Sequence, residues 1–176
     1  MTRISMIEEN EATGELKELY KESKKAWGQV GTIAKTMGHK PNILKGFGAL
    51  SNAIMSDDSV DKKLQEKIIL RVSKINGCDY CVGAHTMMAK KVGLSDEEIK
   101  VCQLDNLEDQ NLKANELIAL KYATEVTKNV SCSDETFNEL KKHFNDEQIV
   151  QLTSLIALFN YLNRFNDALE VDIDYK

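Results

Sequence analysis

The densest chemistry in the chain lies in ten residues, Asn76-Gly77-Cys78-Asp79-Tyr80-Cys81-Val82-Gly83-Ala84-His85. Cysteines three apart at the first turn of a helix can meet, and His85 lies one turn beyond Cys81. With Cys78 at zero and about 100° per residue, Cys81 falls near 300° and His85 near 340°. Met88 and Val92 fall on the same side, whereas Asp79, Thr86 and Lys90 face the other way. Both thiols and the imidazole therefore share the inward, apolar face of one helix. Redox thiol chemistry needs such a dithiol with a base beside it. The unpaired N–H groups of the helix N-terminus and the neighbouring imidazole both lower a thiol pKa from its free value of about 8.5. Cys81, one turn from His85, is the thiolate expected to meet an oxidant. Cys78, in the first turn and closer to solvent, is expected to resolve the sulfenic acid and to exchange with a reductant.

Two other readings stand beside this one. Cys78, Cys81 and His85 are three tetrahedral zinc ligands if Cys102 or Cys132 supplies a fourth. Ordinary zinc knuckles bring a second close pair, however, and Cys102 and Cys132 stand alone in the sequence. A pair of buried structural cysteines is the plainest reading, and the histidine on the same stripe counts against it. Cys102 and Cys132 read as small buried hydrophobes, and His39 and His143, among lysines near helix ends, as surface residues.

The elements that must position these groups are helical almost throughout. Leu16, Leu19 and Tyr20 mark a first helix over about 11–26, followed by a loop around Trp27–Gly31 and a short helix near 32–38. Pro41 suits the start of the next helix, where its missing N–H costs nothing. Leu64, Ile68, Val72 and Ile75 form one face of a helix over 60–76, which Gly77 breaks. The motif helix runs from near Cys78 to about Val92, where Gly93 supplies a left-handed stop. Ser95 with Glu98 forms a capping box, and Asn145 with Gln148 opens a long helix over roughly 146–169. Further helices cover about 112–128 and begin at Asp134 after Ser133. No stretch alternates convincingly with period two, so the spacing predicts an all-α fold of about seven to nine helices.

Length and composition narrow the class further. A chain of 176 residues is expected to form one domain, 1–176, able to hide roughly two-thirds of its unfolded surface without a metal or disulfide staple. With 23 basic and 28 acidic residues the net charge is -5, a poor basis for binding nucleic acid or an anionic membrane. No apolar run reaches a membrane span of about 18 residues, and the first residues lack the apolar stretch of a secretory signal. The four cysteines are therefore expected as reduced thiols in a cytoplasm. Apolar residues from Ile149 to Phe165 wrap much of the last helix, so it is buried from several sides. Either one subunit's core or a neighbouring subunit supplies that burial.

Glu66, eleven residues, Cys78-x-x-Cys81, three residues and His85 resemble the signature of the alkylhydroperoxidase D-like core of the carboxymuconolactone decarboxylase-like superfamily. The resemblance extends through 64–73, Asn76-Gly77-Cys78 and Gly93-Leu94-Ser95. Pro41-Asn42-Ile43-Leu44 and 163–169 also look like that family, and the core motif covers about 41–100. It implies an all-helical fold, trimers or hexamers, and thiol-dependent reduction of small organic hydroperoxides. It also implies a proton relay through Glu66 and His85 and regeneration by an external dithiol, such as a lipoyl group on a partner protein, with no bound cofactor or metal. Periodicity alone leaves Glu66 off the apolar stripe as a solvated, salt-bridging residue; the family spacing turns it toward His85. Family members with demonstrated peroxidase activity commonly carry a second His before the second cysteine, where this chain has Tyr80, projecting off the thiol face. Decarboxylase members generally lack the cysteine pair, so lactone decarboxylation is not expected. Beside the peroxidase stand two further expectations, a protein dithiol–disulfide carrier and a non-enzymatic zinc-binding or redox-sensing module.

Overall fold

The computed structural model describes residues 2–107 and 112–174, which contain helices and irregular segments and no strand. The helices are α1 Gly14–Trp27, α2 Thr32–Met37, α3 Pro41–Ser56, α4 Lys62–Asn76, α5 Asp79–Lys91, α6 Asp96–Cys102, α7 Ala114–Asn129, α8 Asp134–His143 and α9 Asp146–Leu169. The all-α expectation holds, with nine helices among the described residues. Two boundaries differ in ways that matter. α1 takes in Trp27 and stops at Gly28 (φ 80°), and α5 opens at Asp79, leaving Cys78 outside it as the N-cap.

The backbone divides into two compact units, Met1–Ala53 with Phe165–Lys176, and Ile54–Arg164. In the first, Tyr20 is 3% exposed and donates its hydroxyl to Ile7 O at 2.8 Å. A Cβ at Gly38 would sit 2.6 Å from that hydroxyl, so only glycine fits the approach. The N–H of Thr32 opens α2 by donating to Asp174 Oδ2 at 2.6 Å.

The second unit is built around α4. Asp61 caps it by accepting the N–H groups of Lys63 and Leu64, and every residue from Leu64 to Ser73 is buried. Ile68, Ile69, Leu70 and Val72 carry the apolar packing, and α4 lies chiefly against α5 and α7. A helix closed in all round must satisfy its charged residues internally. Lys67 meets Glu116 at 2.8 Å and Glu98 at 3.0 Å. Arg71 donates to Thr124 Oγ1 and to the carbonyl of Leu104. Leu70 packs with Ala89, Leu94, Ile99 and Cys102, which clamps α4 to α5 and α6. Gly93 (φ 86°) and the Ser95–Glu98 capping box set the turn between those two helices. In this unit Leu152, Leu155 and Ile156 of α9 are fully buried, whereas Val150 and Tyr161 are exposed. Most of α9's apolar circumference is thus covered within one chain. No described helix is long and apolar enough to cross a membrane.

Candidate active site

α4 delivers the motif through a tight stop. Gly77 takes φ 77°, its N–H donates to Lys74 O at 3.2 Å, and the N–H of Cys78 donates to Ser73 O at 3.0 Å. These are the two bonds of a Schellman motif, which needs a left-handed residue where Gly77 stands. Cys78 then lies at φ -80°, ψ 94°, and its sulfur accepts the N–H of Cys81 at 3.4 Å. A sulfur in the N-cap position takes one of the helix's orphan donors, which fixes it over the first turn of α5. The Cys78 thiol is directed at Cys81 Sγ, 2.9 Å away. The two are separate thiols, and about 0.9 Å of approach would bring them to disulfide length.

The structure corrects one expectation here. Cys78 is 0% exposed and Cys81 3%, so Cys78 is not the more open of the two. The packing of α4 against α5 covers both sulfurs, Cys78 at the N-cap and Cys81 in the first turn.

His85, one turn beyond Cys81, donates from Nδ1 to Glu66 Oε2 at 2.7 Å. Their side chains are 16% and 7% exposed. A carboxylate only accepts, so this bond places the proton on Nδ1 and leaves Nε2 as the basic nitrogen of the neutral ring. Phe159 of α9 meets the imidazole edge to face, with ring centroids 4.7 Å apart. Carboxylate and aromatic ring together hold the imidazole in one orientation. Glu66 therefore turns inward from α4, as the family spacing implied and the periodicity did not.

The remaining cysteines do not join the site. Cys102 is fully buried in the Leu70 cluster and donates to Glu98 O at 3.2 Å; burial pushes its thiol up to about 12. Burial also raises the Cys132 thiol, although that residue is only half-buried rather than a core hydrophobe. Among the described residues no three of His, Cys, Asp and Glu gather as a metal-ligand set, so Cys102 and Cys132 bring no fourth ligand to the zinc reading. His39 and His143 are both exposed, and Tyr80 is half-buried.

A set of amides beside the motif has no role in the sequence reading. Asn76 Nδ2 donates to Asn163 Oδ1 at 2.9 Å and to Asn160 Oδ1 at 3.1 Å, and Asn163 Nδ2 donates to Ser73 Oγ at 3.2 Å. The available signal was the placing of Asn160 and Asn163 three apart beside the apolar Ile156, Phe159 and Leu162 of α9, since amides among apolar residues demand partners.

Residues 41–105 match the model of the Carboxymuconolactone decarboxylase family. The uncharacterized protein YdfG of Bacillus subtilis is 31% identical over 113 residues, which are 63% of this chain and 76% of YdfG. The alkyl hydroperoxide reductase AhpD of Mycobacteroides abscessus is 41% identical over 46 residues, 26% of each chain. Among solved structures, an alkylhydroperoxidase AhpD core protein of Ralstonia eutropha JMP134 superposes with TM-score 0.85 at 22% identity, covering 98% of this chain and 92% of that one. At that identity the likeness is one of fold.

Proposed function

The chain belongs to the carboxymuconolactone decarboxylase family, with an alkylhydroperoxidase D-like fold, and from that premise we propose that it is an oxidoreductase that reduces small organic hydroperoxides through its cysteine pair. The observation that carries the proposal is the 2.7 Å bond from His85 to Glu66, one helical turn from a dithiol whose sulfurs lie 2.9 Å apart. That arrangement supplies a nucleophile, a base with a defined free nitrogen, and a resolving thiol.

In this mechanism His85 Nε2 takes the proton of Cys81, and the thiolate attacks the outer oxygen of the hydroperoxide. The O–O bond breaks, the alkoxide leaves with the proton returned by His85, and Cys81 becomes a sulfenic acid. The Cys78 thiol attacks that sulfur, water leaves, and a Cys78–Cys81 disulfide closes. Two electrons and two protons from an external dithiol, a lipoyl group on a partner protein in this proposal, restore both thiols. Glu66 stabilises the imidazolium and fixes the tautomer. Cys81 is the attacking residue because it stands one helical turn from His85 and receives the Cys78 thiol hydrogen. Burial of both sulfurs suits a small hydroperoxide better than a second protein's disulfide, which sets the peroxidase ahead of a protein dithiol–disulfide carrier.

The test combines peroxide-stopped thiol titration with peptide mapping. Loss of two thiols per chain and a Cys78–Cys81 cross-link is expected, followed by steady-state peroxide consumption with dihydrolipoamide. Oxidation at Cys102 or Cys132 instead, with the pair intact, would overturn the proposal.

A further inference from the structure

We propose that Asn163 of α9 is a positioning residue for the dithiol, acting with Asn76 and Asn160 to hold the turn that delivers Cys78 to the N-terminus of α5. The proposal rests on the cysteine-pair reading above.

Asn163 is 0% exposed, and a buried amide is costly unless both its ends are bonded. Its two ends are bonded to the residue that opens the turn and to the one that precedes Gly77. Nδ2 donates to Ser73 Oγ at 3.2 Å, and Oδ1 accepts from Asn76 Nδ2 at 2.9 Å. Ser73 is also the residue whose carbonyl accepts the N–H of Cys78 at 3.0 Å. One α9 side chain therefore grips the first residue of the Schellman turn and the residue immediately before its left-handed glycine.

The grip is itself braced. Asn76 shares its amide with Asn160 Oδ1 at 3.1 Å, and Arg164 Nη1 donates to that same oxygen at 2.6 Å. Asn160 Nδ2 donates to Ile156 O at 3.0 Å and to Thr127 Oγ1 at 3.2 Å, which anchors it to α9 and α7. The acceptors that receive Asn76 thus cannot swing away singly.

A disulfide forms only over a narrow range of Cα separations and Cβ directions. Cys81 is fixed inside α5, whereas Cys78 is placed by the turn. Looseness in the turn lowers the effective concentration of one sulfur at the other, which weakens the disulfide without touching either thiol's chemistry. The amide network supplies the constraint that keeps the sulfurs 2.9 Å apart.

The experiment equilibrates the full-length protein with mixtures of oxidised and reduced dithiothreitol and counts Cys78–Cys81 disulfide by mass. Two electrons and two protons pass from the cysteine pair to oxidised dithiothreitol, so no peroxide is involved. Asn76→Ala and Asn163→Ala are each expected to lower the equilibrium constant for disulfide formation by about five- to tenfold, the worth of one or two lost hydrogen bonds. The double variant should lose little more, because both act through one turn. After peroxide, both variants should accumulate sulfinic acid at Cys81, since resolution is slowed. Asn76 is only half-buried, so its variant carries the test if Asn163→Ala fails to fold. An Asn76→Ala protein with a lowered melting temperature but a wild-type redox equilibrium would reduce the network to a structural role and overturn the proposal. So would a wild type that forms no disulfide within the chain. A wild type that equilibrates normally yet consumes no peroxide removes the peroxidase reading and leaves the positioning role standing.

Discussion

His85 has one nitrogen committed to Glu66, and the consequences of that commitment are measurable. His85→Gln removes the base beside Cys81, so oxidation by peroxide at neutral pH should slow by about 10²–10⁴-fold, the usual worth of general acid–base assistance. Glu66→Gln keeps the imidazole but less well oriented and less basic, so its loss should be smaller, and the double variant should fall short of the product of the two. Rates of peroxide reaction and thiol alkylation across pH check all three; full activity in Glu66→Gln would show that the carboxylate only holds structure. Cys78→Ser should trap Cys81 as a sulfenic or higher acid, seen by mass. Cys102, its thiol pushed up to about 12 by burial, should resist alkylation at pH 8 until the chain is unfolded. Three of the four proposed site residues stand together in the sequence within eight positions. Glu66 does not, because its inward turn depends on α4 being enclosed all round, and periodicity assumes one wet face.

α4 shows how an element carries both fold and site. Gly77 at φ 77° has open space around a would-be Cβ among the described residues, so Gly77→Ala meets backbone strain rather than a clash. It should destabilise the protein by about 1–2 kcal/mol and displace Cys78, visible together as a lower melting temperature and a weaker disulfide. The other end of the helix's charge system answers to acid. Glu98 is held below its ordinary carboxyl range, first by the Ser95 N–H and then by Lys67. The unfolded chain therefore binds that proton more tightly, and the stability it contributes is present above about pH 4.3 and lost as pH falls through the lower folded value. Glu98→Gln should flatten that acid limb in a pH series of thermal melts. The loss at neutral pH should stay under about 1 kcal/mol, because the carboxylate is substantially solvent-screened. A variant that kept the acid limb unchanged would place the protonation elsewhere.

At the scale of the whole molecule the open question is assembly. The all-round apolar character of α9 permits either a core helix or a subunit interface, and burial of Leu152, Leu155 and Ile156 within one chain answers most of it. Val150 at 65% and Tyr161 at 44% exposed remain on the outside, and we propose that they are covered in the trimer or hexamer that the sequence resemblance implies. Light scattering at micromolar concentration should give a multiple of 19.8 kDa; a stable monomer would sink that expectation. Tyr161→Glu should shift the distribution toward monomer if α9 lines the interface, since a desolvated carboxylate is costly there. The same variant should leave the Cys78–Cys81 redox equilibrium unchanged in the dissociated chain.

Read alone, the sequence determined the features set by neighbours along the chain. The helix class follows from apolar spacing, the caps at Ser95 and Asn145 from local hydrogen bonding, and the common face of Cys81 and His85 from helical geometry. The three-residue spacing pointed to the Cys78–Cys81 encounter, although Cys78 stands outside the helix and is placed by the turn at Gly77. Tertiary structure decided whatever depends on what lies across the gap. It covered both sulfurs, including the Cys78 that the sequence left near solvent, because α4 packs against α5. It turned Glu66 onto His85 and brought Phe159 against the ring, since α5 and α9 supply partners that no spacing within α4 encodes. It also joined Asn163 to Ser73 and Asn76 across ninety residues of chain, where a buried amide finds its partners only once the helices have packed.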